Sequence, residues 1–344
     1  MKYFGYSLAV LLAFSATTRA LPVQQGIVPD DAKWLVHLDV DSLRESKVGN
    51  IVIKDVLAKP LAKLKSEMKI DGQLILQKLH SLTAFGTDFQ KGPEANGVLM
   101  LNGDEEVQKI VEGFLAAQAL QDPNGGIKKL QDEPFVLYSA HNQLFVSPQL
   151  AGHVVLSKSR QQIESLRNVL AGKARTANAS KPFSGYATVT NSFFFLAVAE
   201  GFNEKTALPP QAQILKKATG ARIVLGERGD LLFANLSLKA KDPEVIQQIQ
   251  QVLEGLKALA TLAQSENKEL LELAQATKVS ADNKMVSVNV EYPLSKVIDK
   301  LDMLTAHLQE SIGEPTNEHP PKPQSDEPVK PGASAKSDTP AKKQ

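Results

Sequence analysis

Residues 34–46 read WLVHLDVDSLRES, and the hydrophobic period changes halfway along them. Trp34, Val36, Leu38 and Val40 alternate with Leu35, His37, Asp39 and Asp41, which is the two-residue period of a strand. Asp41 or Ser42 then offers a helix cap, and Ser42 with Glu45 has the spacing of a capping box. Apolar residues follow at helical spacing through Val52, Val56, Leu61, Leu64 and Met68. A strand running directly into a capped helix sets the theme for the whole chain.

The same alternation of patterns continues outward. Strands are expected at Leu82–Phe89, Gly97–Leu101 and His153–Leu156, with a helix opened by Asp104 and another by Ser159. FVLYSAHNQLFVS (135–147) reads as a hairpin turning at His141-Asn142. After a polar stretch at 173–182 the order repeats. There is a strand region at Tyr186–Ala199, a short helix around Ala212–Lys217 and a hairpin turning at Glu227–Gly229. A long helix starts at Asp242-Pro243, a second hairpin turns at Ala281–Asn283, and a helix closes the half. The expected fold is therefore α+β, with two similar halves, each a mostly antiparallel sheet with helices packed on one face. The expected boundaries are a first half at 21–172, a linker at 173–182 and a second half at 183–312.

Both ends carry their own signals. Lys2, the apolar run Tyr3–Ala16 and the small residues of Thr18-Arg19-Ala20 make 1–20 a signal peptide cleaved after Ala20. The run is short for a membrane span, so no integral span is expected in the mature chain. Residues 313–344 hold seven prolines and no aromatic, the composition of a disordered Pro/Lys-rich tail. There is no cysteine, which excludes disulfides, thiolate metal sites and a lipidated cysteine. The chain has 39 basic and 38 acidic side chains, and only Lys2 and Arg19 fall in the leader. That balance gives no electrostatic reason to expect nucleic acid as partner. The expected location is the periplasm or the cell exterior.

The segment VPDDAKWLVHLDVDSLRESKVG (28–49) resembles the mature N-terminus of exported proteins of the Planctomycetes and Verrucomicrobia kind, through Asp31, Ala32, Trp34, His37 and Asp39. The resemblance implies a bacterial exported protein. It implies no activity, because none attaches to that group.

The candidate binding residues are His37, Asp39 and Asp41, spaced by two along one strand face. A histidine and a carboxylate so placed can ligate zinc or manganese if further ligands converge. Amphipathicity explains the same residues as the wet side of a strand whose dry side is Trp34, Val36, Leu38 and Val40. No catalytic residue, metal site or cofactor is assigned, and the nucleophile-elbow, zincin, phosphate-loop and dinucleotide motifs are absent. Arg228-Gly229-Asp230 reads as a tight turn. In the long helix, Val245, Ile249, Val252, Leu256, Leu259 and Ala263 form a heptad seam, so a homodimer through 242–264 is one expected contact. The function these features favour is an exported, non-enzymatic binding or structural module with a protein or envelope partner. The alternative is a metal-assisted hydrolase using His37 and Asp39.

Overall fold

The structure is a computed structural model, and it describes residues 25–88, 95–122, 125–131, 134–177, 193–201, 216–262 and 268–301. The first half contains β1 (Trp34–Asp39), α1 (Val40–Glu45), α2 (Lys47–Ile51), a π-helical turn (Val52–Val56), α3 (Ala58–Met68), α4 (Gly72–Lys78), β2 (Leu79–Gly86) and β3 (Gly97–Gly103). It continues with α5 (Glu105–Gln121), β4 (Ile127–Lys129), β5 (Tyr138–Ala140), β6 (Leu144–Leu150), β7 (His153–Ser157) and α6 (Arg160–Leu170). The second half contains β8 (Phe195–Glu200), β9 (Gly220–Arg228), β10 (Leu231–Lys239), α7 (Pro243–Leu262), α8 (Lys268–Ala276), β11 (Thr277–Ala281) and β12 (Met285–Pro293). Residues 294–301 are helical.

Among the described residues, the twelve strands form one sheet in the order β11-β12-β10-β9-β8-β1-β2-β3-β7-β6-β5-β4, and every neighbouring pair is antiparallel. The α+β class with two similar antiparallel halves is what the structure shows. Reading outward from the centre, β1-β2-β3-β7-β6 mirrors β8-β9-β10-β12-β11. In each half the third strand leads into a long helix, and a later hairpin returns its second strand to pair with that third strand. The halves are fused edge to edge by the pairing of β1 with β8, from Trp34↔Ala199 to Leu38↔Phe195.

Cores lie on both faces of the first half-sheet. Val155 of β7 packs in the cluster that holds Phe85, Met100, Ile163 and Leu166, whereas its neighbour Val154 packs with Val107 and Leu115. Successive strand residues point to opposite faces, so α6 covers one face and α5 the other. In the second half, Ile246 and Ile249 of α7 pack on Leu238 and Val286, which places α7 on the same face as α5. Only the N-terminal half of α7 uses the heptad seam against the sheet. Leu256, Leu259 and Leu262 are exposed, as are Leu270 and Leu273 of α8.

The turns follow their chemistry. His141 and Asn142 both have positive φ, as a tight I′ hairpin turn requires. Gly229, at φ 61°, turns β9 into β10. The described part of 173–182 is not free of the fold: Thr176 bridges to Pro29, and the Ala177 N–H donates to Val28 C=O at 2.7 Å. The signal segment 1–20, the tail 313–344 and most of the expected helix at 212–217 lie outside the described residues.

Candidate functional site

The two faces of β1 are exchanged relative to the sequence reading. Leu35, His37 and Asp39 are buried, at 3%, 3% and 0% exposure, while Trp34, Val36 and Leu38 are only partly buried. The reason is position. β1 is a central strand, paired on both edges, and the alternation of a strand covered on both faces does not say which set lies deeper.

Hydrogen bonding makes the buried polar set tolerable. His37 lies opposite Thr83 of β2, and its Nδ1 is 2.9 Å from Thr83 Oγ1. The Phe193 ring meets the imidazole edge-on at 6.4 Å between centroids. Asp39 is the N-cap of α1, where its carboxylate accepts from the Ser42 N–H at 2.8 Å. The cap therefore falls two residues before Asp41 and three before Ser42, the two expected positions. Asp41 consequently belongs to the first turn of α1 and not to the strand. The three candidates do not converge. Among the described residues, no three His, Cys, Asp or Glu side chains are placed to hold a metal ion.

Asp41 instead meets a histidine that sequence spacing did not connect to it. His80, at the start of β2, lies with Nδ1 2.9 Å from Asp41 Oδ2 and Nε2 3.1 Å from Asp104 Oδ1. Arg44 pairs with Asp41 at 2.8 Å and donates to the carbonyls of Gln77 and Leu79. Lys78 pairs with Asp104 at 3.2 Å. Asp104 occupies the N-cap position of α5, as expected, but makes no side-chain capping bond; its carboxylate is used by His80 and Lys78. The alternating charges thus tie α1, the α4–β2 junction and the start of α5 together.

Burial is the largest single influence on His80 and pulls its pKa down, but the hydrogen bonds to Asp104 and Asp41 and their charges outweigh it, so the net shift is upward. The bond from His80, then that from Lys78, lowers the Asp104 pKa. When protonated, the imidazole can donate from one nitrogen to each carboxylate, and in that form it has no lone pair for base or metal chemistry. The arrangement is an electrostatic clamp.

A polar face lies on the side of the second half-sheet opposite α7. Val286, Val288 and Val290 alternate with Ser287, Asn289 and Glu291 along β12. Asn289 and Glu291 are exposed, as are Lys278 and Ser280 on β11. Arg222 Nη2 donates to Asn235 Oδ1 at 2.9 Å, and Asn235 Nδ2 donates to Asn289 Oδ1 at 2.6 Å. A hydrogen-bonded ladder therefore crosses β9, β10 and β12. The Arg228-Gly229-Asp230 turn is occupied internally. Arg228 pairs with Glu291 at 3.3 Å and lies over Phe233, while Asp230 pairs with Lys47 at 2.6 Å.

No family model matches the chain, and no curated protein matches it. Among solved structures, two crystal forms of TP0453, III and I, align with TM-score 0.43 and 12% identity. Each alignment covers 84% of this chain, with 99% and 98% of the respective TP0453 chain. No helix among the described residues is long and apolar enough to cross a membrane.

Proposed function

We propose that the protein is an exported bacterial binding or structural module, without enzymatic activity, that works at the periplasmic or outer side of the cell envelope. The observation that supports this reading is the ladder Arg222–Asn235–Asn289 with its exposed neighbours Lys278 and Glu291. It presents donors, acceptors and both signs of charge on a sheet surface. A sheet with one face on the core and one toward water can use the second for recognition. The signal-like leader supports export.

Fractionation tests the reading. The full chain, expressed in a diderm bacterium, should lose residues 1–20 and co-sediment with the envelope. An Asn235→Ala, Asn289→Ala double variant should be processed equally but released to the soluble fraction. An uncleaved, cytoplasmic chain overturns export, and identical fractionation of the two proteins overturns the binding face.

The hydrolase reading has no geometry behind it, because His37 and Asp39 are sealed in the sheet and bonded to Thr83 and Ser42. A homodimer through α7 keeps one specific support: Leu256, Leu259 and Leu262 are exposed at 40%, 60% and 78%. Light scattering should then report a dimer that Leu259→Glu dissociates, and a monomeric wild type at high concentration removes that contact.

A further inference from the structure

We propose that the outer edge of β4, with the cleft beside it, binds an extended acidic peptide by strand addition. This goes beyond the polar sheet face, which lies in the other half.

β4 is the last strand of the sheet and pairs only with β5 among the described strands. The Leu130 N–H donates to Leu137 C=O at 2.9 Å, and the His141 N–H donates to Gly126 C=O at 2.5 Å. Antiparallel pairs alternate between bonded and non-bonded positions. Gly126, Lys128 and Leu130 therefore bond inward, and the main-chain groups of Ile127 and Lys129 point outward. Those are the groups that an added strand would use.

The side chains of Ile127 and Lys129 lie on the α5 face, because Ile127 packs in the α5 core cluster and Lys129 lies 6.0 Å from the Tyr138 ring centroid. Between them and α5 is a cleft of about 550 Å³, walled by Ala116, Ala119 and Leu120 and floored by Tyr138. Leu120 is 80% exposed, the largest exposure of any large apolar side chain among the described residues. An added strand would set alternate side chains into this cleft.

Charge selects the occupant. Lys128 and Lys129 are exposed on opposite faces of the edge. The nearby carboxylate of Glu112, whose charge reaches Tyr138, accepts from Gln149 at 2.6 Å. Lysines on an edge strand resist pairing between copies, since antiparallel self-pairing brings lysine against lysine. The same lysines favour a strand carrying glutamate or aspartate.

The test uses the full chain and a fluorescent eight-residue peptide alternating valine and glutamate. Residues directly opposite Ile127 and Lys129 place their side chains in the cleft and point their N–H groups at the edge. N-methylation of the valines should therefore abolish binding, and N-methylation of the glutamates should leave it intact. Replacing glutamate by lysine should weaken binding roughly fivefold, the scale of one exposed charge pair at Lys128, on whose face the glutamates lie. Lys128→Glu with Lys129→Glu should reverse that preference. Leu120→Asp, at a side chain too exposed to matter for folding, should weaken binding, while Asn235→Ala with Asn289→Ala should not. Failure of the valine–glutamate peptide to bind overturns the proposal, as does indifference to valine methylation or to charge reversal.

Discussion

His80 Nδ1 lies 2.9 Å from Asp41 Oδ2, and this pair, closed on the other side by Asp104, makes His80 the titrating centre of a clamp between three elements. The His80 pKa is raised in the fold, so its stabilising contribution is fully present below the unfolded value of about 6.5 and is lost as pH rises through the folded pKa. Asp104 is shifted the other way; its contribution is present above the unfolded carboxylate value and is lost as pH falls through its lowered pKa. The clamp is whole between those limits. His80 is more than a third exposed, so screening holds its contribution to at most about 1 kcal/mol. Denaturant titration of wild type and His80→Gln should show a gap at pH 6 that narrows by pH 8.5. A gap that does not vary with pH would sink the clamp.

Asp39 carries a different weight, because it caps α1 from a fully buried position. Asp39→Ala should cost about 1–2 kcal/mol through the lost cap, with a further penalty for the Ser42 N–H left without its acceptor. Asp39→Asn keeps an acceptor and should recover most of the loss. Urea unfolding of the two variants separates capping from mere volume; equal losses would show that the cap is not the cause.

The neighbouring pair His37 and Thr83 should act as one unit. His37→Ala removes a buried ring and leaves Thr83 Oγ1 without its partner, which should cost roughly 2–4 kcal/mol. Thr83→Val should cost less alone, and a double-mutant cycle should show coupling between the two. Zinc at a tenfold excess should not raise the melting temperature of the wild type. Stabilisation by zinc that His37→Gln abolishes would revive the metal reading.

What was legible in the sequence follows from where each signal arises. Periodicity is local, so β1, the hairpin at His141-Asn142, the helix after Asp104 and the long helix after Pro243 could all be read directly. The repeat was readable because strand, helix and hairpin recur in the same order. Three things were not local. The depth of His37 and Asp39 depends on β1 being a central strand, which no pattern within 34–46 encodes. The approach of His80 to Asp41 and Asp104 spans 39 and 24 residues and arises only when α1, β2 and α5 pack. The edge strand β4 is three residues, IKK, too short to show any period. It is set by pairing with β5, which nothing within those three residues encodes.

Trp34 and Gly86 give a steric test of the centre of the sheet. They are register partners on β1 and β2, and the indole lies across the glycine so closely that a Cβ there would come within 2.5 Å of the ring. The indole N–H donates to Asp88 C=O at 3.2 Å, which holds the ring in place. Gly86→Ala should therefore destabilise by about 1–3 kcal/mol through overpacking. Combined with Trp34→Leu it should cost less than the sum of the two single changes. Intrinsic fluorescence reports the outcome cleanly, since Trp34 is the one tryptophan; an unshifted emission and unchanged stability in Gly86→Ala would contradict the contact.

Glu227 supplies the last test, because it joins the two halves away from their shared strands. Its carboxylate accepts from the N–H groups of Lys47 and Val48, at 2.9 and 2.7 Å, across 180 and 179 residues of chain, at the start of α2. Negative charge is favourable at a helix start, and the two free N–H groups need an acceptor. The turn that carries Glu227 is also tied by Asp230 to Lys47, so the β9–β10 hairpin is docked on the first half at two points. Glu227→Ala should cost about 1 kcal/mol, the scale of a lost cap, whereas Asp230→Ala should cost less because both members of the Lys47–Asp230 pair are open to water. Hydrogen exchange should localise the effect: faster exchange at Lys47 and Val48 in Glu227→Ala, with β1 and β8 unaffected. If protection along β1–β8 falls as well, the docking of this turn contributes to holding the two half-sheets together, and the strand pairing alone is not sufficient.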